Sequence, residues 1–152
     1  MDDVLSVAAC ALCELGCAAT MKLQKTVYYA QAYHLAKYKE PLFSERIEAW
    51  VNGPVVPDLF EKHRGKFVVE ANFLDEYSKD VSQDAAYVVS HVVACVKDMS
   101  GAELSGLVRS ECPWLEARKG CVPTMRHGGE ITISSIYEYY SSAPAGHPVF
   151  AA

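Results

Sequence analysis

The longest uninterrupted helical pattern in the chain runs from Met21 to Tyr38. This stretch contains no glycine or proline, and its apolar side chains recur at helical spacing over about two thirds of the helix circumference. Thr20, directly before it, is a residue type that commonly starts helices. A helix with so wide an apolar face must be covered from several sides. We therefore predict a central helix over about 21–39, around which the other elements pack.

Three polar side chains fall within this apolar face, namely Gln24, Gln31 and His34. A polar group left unpaired in a protein core costs about 1 to 3 kcal/mol, so each of them needs a partner. We predict that they hydrogen-bond buried backbone near Gly53 and have a structural role.

Shorter patterns predict the remaining helices from the residues that start and stop them. The predicted starts are Asp2 or Asp3, Pro57, Asp84, Ser100 with Glu103 as a capping box, and Ser135 with Glu138 as a second one, and the predicted stops include Gly16 and Gly65. Residues 43–51 alternate apolar and polar positions, a pattern that fits an extended segment as well as a helix. Further short extended pieces are predicted at 67–69 and 131–133.

The predicted fold class is mainly α, a single compact helical domain around the central helix, with short extended segments near 43–51 and 131–133. The domain is expected to span 1–142. Residues 143–152 contain Pro144, Gly146 and Pro148, and we expect them to form a loose tail. A chain of 152 residues with 51% hydrophobic content suits one such domain with a real core.

Net charge and the N-terminal residues limit the partners and the cellular location that we expect for the protein. The net charge is −5 and the pI is about 5.5, which disfavours a surface that tracks nucleic acid along its whole length. The N-terminus begins Met-Asp-Asp without a basic flank, and its apolar run is too short to cross a bilayer. We expect a cytoplasmic protein with neither a signal peptide nor a membrane partner.

Six cysteines in such a chain are expected to be reduced. Cys10, Cys13 and Cys17 have the spacing C-x2-C-x3-C, but they lie in an alanine-rich helical stretch without a turn residue between the first two. We interpret them as small, buried or half-buried side chains on one helix stripe. The alternative is a metal site completed by a distant fourth ligand. We expect no metal and no cofactor.

Catalytic motifs are missing from the sequence. It has no nucleophile elbow, no H-E-x-x-H pair, no phosphate-binding loop and no dinucleotide fingerprint. We therefore assign no catalytic residue and do not expect an enzyme, although an undetected activity stays open as the weakest alternative.

The segments between Leu23 and Phe60 resemble a known family. The resemblance extends more weakly through Pro113-Trp114 to the last helix, so it covers nearly the whole chain. The segments that carry it are Leu23-Gln24-Lys25, Tyr28-Tyr29-Ala30-Gln31, His34-Leu35-Ala36, Pro41-Leu42-Phe43, Ile47-Glu48-Ala49-Trp50, Gly53-Pro54-Val55-Val56-Pro57 and Leu59-Phe60. They are similar to the SocA-like antitoxin family of bacteria, whose domain is called Panacea and was formerly described as phage-associated.

The resemblance implies the antitoxin of a type II toxin–antitoxin system, which neutralises a cognate toxin encoded nearby by direct protein–protein binding. One alternative is a proteolytic adaptor that delivers its partner to a ClpXP-type protease, and another is a prophage-derived regulatory protein. Some relatives carry an additional DNA-binding domain, and only one helix precedes Thr20 here, so binding of nucleic acid by this chain alone is not expected.

Two surfaces are candidates for binding the partner. The first is the corner formed by Trp50, Pro54 and Pro57, because an aromatic side chain on rigid backbone can supply much of the energy of an interface. The other interpretation of this corner is architectural, with Trp50 anchored in the core and Gly53 fixing a turn.

The second candidate surface is the polar arc of the central helix, where Tyr29 and Tyr33 lie one turn apart beside Lys22 and Lys25. Tyrosines are enriched at binding hot spots, and lysines at their edge would steer an acidic partner. The alternative is that the first or last helix simply covers the two rings, since Ile136, Tyr139 and Tyr140 also need neighbours.

Overall fold

The computed structural model describes residues 1–77, 80–142 and 145–150. Within these ranges the chain forms seven α-helices, one short 3-10 helix (Asp75–Tyr77) and four short strands. The helices are α1 (Val4–Leu15), α2 (Thr20–Tyr38), α3 (Pro57–His63), α4 (Gln83–Val96), α5 (Gly101–Arg109), α6 (Cys112–Ala117) and α7 (Ile133–Tyr140). The strands are β1 (Ala18–Ala19), β2 (Glu48–Trp50), β3 (Gly53–Val55) and β4 (Val68–Val69). The predicted fold class, mainly α with short extended segments, is confirmed.

Local capping signals explain where several helices begin and end. The Asp3 carboxylate accepts a hydrogen bond from the Leu5 N–H at the start of α1, and Gly16 stops this helix at φ 83°. Ser100 and Glu103 form the predicted capping box at the start of α5. In each case the interaction lies within a few residues of the sequence, which is why the pattern predicted it correctly.

Two predicted caps are wrong by a few residues. α4 is capped by the Ser82 side chain and not by Asp84, and α7 is capped by Thr132 and not by Ser135. The extended segment predicted at 131–133 is also displaced, because Ile133 already begins α7. The extended backbone lies just before it, where Glu130 bridges Glu48 of β2. Several Ser, Thr and Asp residues near these ends compete for the same capping geometry, so sequence alone does not choose among them.

The predicted central helix is α2, and it is the hub of the fold. It packs against α1, α4, α5 and α7 and against strand β3. Its buried residues include side chains all round its circumference, among them Leu23, Val27 and Leu35. Among the described helices, none has the length and apolar character needed to cross a membrane.

Tyr29 is part of the core, which corrects the expectation that it lies on an exposed arc of α2. Its ring has no exposed surface and packs edge-on against Tyr28 and Tyr140. Its hydroxyl donates to Oε1 of Glu111 at 2.7 Å. The physical reason is that α7 and the residues after it cover this side of α2, as the alternative interpretation held.

The tail from residue 143 was expected to be loose, but its described part, 145–150, packs against the core. His147 and Val149 are buried, and Phe150 stacks on Tyr140 with ring centroids 4.8 Å apart. The His91 ring also hydrogen-bonds the carbonyl of Val149 at 2.9 Å. Glycine and proline mark this segment as irregular, yet irregular backbone can still be fixed by the side chains that it carries.

Gln31 and His34 hold the loop that follows α2. The Gln31 carbonyl oxygen accepts the Leu42 N–H at 2.6 Å, and its amide donates to the Phe43 carbonyl at 2.8 Å. His34 Nδ1 donates to the Glu40 carbonyl at 2.6 Å. The prediction of buried backbone partners is confirmed for Gln31, whereas His34 bonds the carbonyl of Glu40, an exposed residue. In both cases the backbone belongs to this loop and not to the Gly53 turn.

Replacing Gln31 by Leu is expected to lower the free energy of unfolding by about 1 to 3 kcal/mol, because two buried backbone groups would lose their partner. Urea denaturation measures this change. The exposed Gln83 at the start of α4 provides a control, and Gln83→Leu is expected to change stability by less than about 0.5 kcal/mol. Equal effects of the two substitutions would contradict the assigned role of Gln31.

Candidate functional site

The turn between β2 and β3 is built so that the backbone passes very close to α2. Gly53 has φ 125°, a conformation that side chains other than glycine rarely adopt. A Cβ at this position would lie 2.7 Å from Cε of Lys25 and 3.3 Å from Cγ1 of Val108. Pro54, the next residue, is buried within β3. The turn therefore packs directly on the Lys25 side chain.

Gln24 ties the end of this hairpin to the central helix. Its carbonyl oxygen accepts the Val56 N–H at 2.9 Å and its amide donates to the Val56 carbonyl at 3.3 Å. The same amide lies 3.0 Å from Nε2 of His63 on α3. An amide nitrogen can only donate, so Nε2 of His63 is the acceptor and the ring is neutral. For Gln24, the predicted bond to backbone near Gly53 is confirmed.

Trp50 is fixed on several sides. Its Nε1–H donates to Glu48 at 2.9 Å, and its ring stacks on His127 with centroids 4.1 Å apart. Phe60 meets the ring edge-on at 4.8 Å, and the Trp50 carbonyl accepts a hydrogen bond from Trp114 Nε1 at 2.8 Å. The Trp50 side chain retains 8% exposure. These contacts fit the architectural interpretation of the corner, and they leave one part of the ring facing a groove.

We call this concavity the Lys25 groove. It has a volume of about 690 Å³ and lies between the start of α2, the β2–β3 turn, α3 and residues 64–68. Gln24, Lys25 and His63 are buried at its floor, Trp50 and Phe60 form a wall, and Phe67 lies at its rim. A second depression of about 360 Å³ shares Trp50 and Phe60 with it. Pro57 lies in that second depression.

The rim of the Lys25 groove exposes apolar side chains. Phe67 is 88% exposed and its neighbour Val68 is 57% exposed. The Phe67 carbonyl is nevertheless held, because it accepts the Thr20 N–H at 2.8 Å. β4, which begins at the next residue, pairs with β1. A fixed backbone thus presents an aromatic ring to solvent beside a concave surface.

The electrostatic character of the groove is positive. Among the described residues that line it, every charged side chain is basic: Lys25, Arg64, Lys66 and Arg126. Arg64 is paired with Glu61, while the guanidinium of Arg126 lies over the Trp50 ring at 5.9 Å. α2 and α5 both begin at the groove, so the positive ends of their dipoles point toward it.

Lys25 is the unusual member of this set because it is only 2% exposed. Removal of the ammonium from water lowers the pKa of Lys25 to about 7, and the nearby Arg109 guanidinium lowers it in the same direction. Burial also lowers the pKa of His63, with Lys25 contributing. The floor of the groove therefore holds an amine that is about half charged at neutral pH beside a neutral imidazole.

The structure separates the residues predicted to bind a partner. Lys25 and Trp50 line the Lys25 groove, and Pro57 lies beside it. Lys22 is half-buried and its Nζ donates to the Lys97 carbonyl at 2.9 Å. Tyr33 is half-buried and stacks on His91, with ring centroids 4.2 Å apart. Tyr29 is buried elsewhere in the core, so these residues do not form the single exposed strip expected from the helical wheel.

Sequence reasoning missed three contributors to the groove. The sequence predicts a short extended piece at Phe67 without indicating a role for its ring, and Arg64 and Arg126 lie in segments without a recognisable motif. A phenylalanine beside Lys66 and Gly65 carries no signal of exposure in sequence. Pro113 is buried at the start of α6, and Trp114 supports Trp50, as expected for structural positions.

The cysteines are free thiols. Cys10 is half-buried on α1, as expected, but Cys13 and Cys17 are exposed, so the expectation that all three are buried or half-buried is wrong for these two. Burial raises the pKa of the Cys10 thiol, with Glu14 contributing. Across the described ranges, no three His, Cys, Asp or Glu side chains are grouped so that they could hold a metal ion.

Comparison with known proteins places the chain in a family. No curated protein and no solved structure is significantly similar to it. The family model for the antitoxin SocA-like, Panacea domain matches residues 23–115, which is more than half of the 152-residue chain. The matched region includes α2 from Leu23 onward, the β2–β3 hairpin, α3 and most residues of the Lys25 groove. The chain therefore belongs to the SocA-like antitoxin family.

Proposed function

We propose that this protein is the antitoxin of a type II toxin–antitoxin system and that it neutralises its cognate toxin by direct binding at the Lys25 groove. Membership in an antitoxin family supports a protein partner. The observation that carries the choice of surface is Phe67, 88% exposed at the rim of a concave groove with an aromatic wall. Large aromatic side chains on fixed backbone are typical energetic anchors of protein interfaces.

The shape and chemistry of the groove suit a protein segment. Burial of an exposed phenylalanine contributes on the order of 1.5 to 3 kcal/mol, and Val68 extends the apolar rim. Basic side chains around an apolar centre match the usual organisation of an interface, with polar groups at its edge. Little rearrangement is needed, because Gln24 and Trp50 already hold the floor and wall in place.

The proposal includes no catalytic step. The imidazole of His63 accepts a hydrogen bond from Gln24 at the groove floor, so a structural role accounts for this buried histidine. Neutralisation by contact requires only that the bound surface of the toxin be blocked. Binding of nucleic acid by this chain is not part of the proposed function.

The function is tested by co-expression with the product of the neighbouring open reading frame. The neighbour alone is expected to arrest growth, and this protein is expected to restore it and to form a complex that survives purification. Phe67→Ser is expected to weaken that complex by at least about tenfold and to abolish rescue, without a change in thermal stability. Val122→Ser is the matched control, since Val122 is 57% exposed and lies in neither depression.

Three outcomes would overturn the proposal. Normal growth of cells that express only the product of the neighbouring reading frame would show that this product is not a toxin. Full rescue by Phe67→Ser would show that the Lys25 groove is not the binding surface. Rescue that disappears in cells lacking a ClpXP-type protease, with loss of the toxin only when the protease is present, would show instead that the protein is a proteolytic adaptor.

A further inference from the structure

We infer that the Lys25 groove recognises an acidic side chain of the partner protein, flanked by apolar ones, through an ion pair with the Lys25 ammonium at the groove floor. This inference rests on the proposed function and adds the chemistry by which the partner is selected.

The first observation is that Lys25 is only 2% exposed and that no carboxylate of the described residues pairs with it. Charged groups inside proteins are normally paired or hydrogen-bonded, because desolvation of an unpaired charge is costly. Among the described residues, none forms an ion pair with Nζ of Lys25, and the charged group that affects its pKa is the like charge of Arg109. Its side chain lines the Lys25 groove, so the missing carboxylate can be supplied from outside.

The second observation is that the surroundings hold Lys25 in this position. The Gly53 turn lies against its Cε, so that a Cβ at Gly53 would come within 2.7 Å of that atom. The hydrogen bonds of Gln24, the neighbouring polar side chain, go to Val56 and His63 and not to the ammonium. The fold therefore maintains a costly buried amine, which is the arrangement expected when binding compensates for it.

The third observation is that the charge of the whole groove is complementary to that of an acidic segment. Lys66 and Arg126 lie around the opening, and the described part of the lining contributes no acidic side chain. The protein as a whole has a net charge of −5, so this positive surface is local. Such a surface steers an acidic segment and repels a basic one.

The apolar groups select a protein segment and not a phosphate backbone. Trp50, Phe60 and Phe67 supply ring surface around the amine, and Val55 and Val68 extend it. A carboxylate side chain with apolar neighbours suits this lining, because the carboxylate can pair with the Lys25 ammonium while its apolar neighbours pack on the aromatic rings.

A pH dependence follows from the same geometry. The titratable or charged groups that face Lys25 are His63 on α3, Arg109 on α5, and Arg64, Lys66 and Arg126 near the opening. His63 is already neutral above pH 7, because burial lowers its pKa. A bound carboxylate raises the pKa of Lys25, so binding takes up a proton and becomes weaker as pH rises above about 7.

The first experiment uses two capped tripeptides, leucine–glutamate–phenylalanine and its glutamine counterpart, titrated into the full-length protein and followed by NMR at Gly53 and Phe67. The glutamate peptide is expected to bind at least about tenfold more tightly than the glutamine peptide at pH 7. Lys25→Met is expected to abolish this preference. Lys22→Met, one turn earlier on α2 and bonded to the Lys97 carbonyl, is expected to keep it.

The second experiment uses the captured toxin. Neutralisation of one toxin Asp or Glu and the Lys25→Met substitution are each expected to weaken binding by at least about tenfold, and the double substitution to weaken it no further. The wild-type affinity is expected to fall between about pH 7 and pH 9, while that of Lys25→Met stays constant.

Equal binding of the two peptides, no perturbation by either up to about 5 mM, or additive effects in the double substitution would each overturn the inference. Because the peptide experiment needs no toxin, its result is independent of the growth test. A glutamate preference without growth rescue would retain the acidic site and reject the antitoxin function, and rescue without that preference would do the reverse.

Discussion

Replacing Lys25 by Met is expected to raise the free energy of unfolding at pH 7 by on the order of 2 to 4 kcal/mol. The wild-type protein buries an amine with 2% exposure, no carboxylate in the described ranges pairs with it, and this burial lowers the pKa of Lys25 to about 7. Methionine is nearly isosteric with the lysine stem and has no charge to desolvate. The substitution thus stabilises the fold while, by the inference above, it removes partner recognition.

The pH dependence of the free energy of unfolding provides a second test of the cost of burying Lys25. Lys25 has a pKa of about 7 in the folded protein and an ordinary value of 10.5. Below pH 7 it is charged in both states, so the full cost of burial is present. Between pH 7 and 10.5 the unfolded chain binds the additional proton, so wild-type stability gains from rising pH. The advantage of Lys25→Met is therefore expected to shrink across this window.

Urea denaturation of the wild type, Lys25→Met and Lys22→Met at about pH 7 and about pH 10 measures both effects. Lys22→Met is expected to remain within about 0.5 kcal/mol of the wild type, because Lys22 is not enclosed. A Lys25→Met protein that is less stable than the wild type at pH 7 would show that the amine is satisfied within the fold and would contradict this account.

Replacing Glu111 by Ala is expected to lower the free energy of unfolding by about 3 to 5 kcal/mol, because three buried donors lose one acceptor. Oε1 accepts the hydroxyls of Tyr29 at 2.7 Å and Tyr140 at 2.6 Å, and Oε2 lies 2.6 Å from Nε2 of His147. Burial raises the pKa of both tyrosines well above their ordinary value, so they remain donors.

The tautomer of His147 follows from the same network. Nδ1 of His147 accepts the Val149 N–H at 3.1 Å, so the proton that faces Glu111 is carried by Nε2. Tyr28 completes the network, because Tyr140 gives its hydroxyl proton to Glu111 and so accepts from Tyr28 at 3.2 Å. One carboxylate thus joins α2, α7 and the segment 145–150.

Glu111→Gln is the matched control, since it keeps an oxygen for the two tyrosines and disturbs only the bond to His147. It is expected to cost about half as much as Glu111→Ala. Urea denaturation gives the stability difference, and near-ultraviolet circular dichroism reports on the packed tyrosines. A loss below about 1 kcal/mol for Glu111→Ala would show that the network contributes little.

Local features of this protein were determined by sequence alone. The glycine-free apolar pattern of α2, the Ser100–Glu103 capping box and the proline that opens α3 involve residues within one or two turns of each other. Their energetics depend on neighbouring backbone, so the pattern is sufficient. The family resemblance also lies in such segments, and the family match confirms it.

The groove and the buried networks were decided by tertiary structure. Tyr29 and Glu111 are 82 positions apart, and a helical wheel shows the direction of a side chain without showing what covers it. The helical wheel places Lys25 on the polar arc of α2, whereas the fold leaves it 2% exposed with the Gly53 turn against its side chain. Phe67 shows the reverse case, an apolar ring that is 88% exposed because none of the described segments packs over it. The exposure of a side chain depends on which distant segments pack over it. Sequence patterns report on residues within one or two turns, so they could predict the helices but not which side chains the fold would bury.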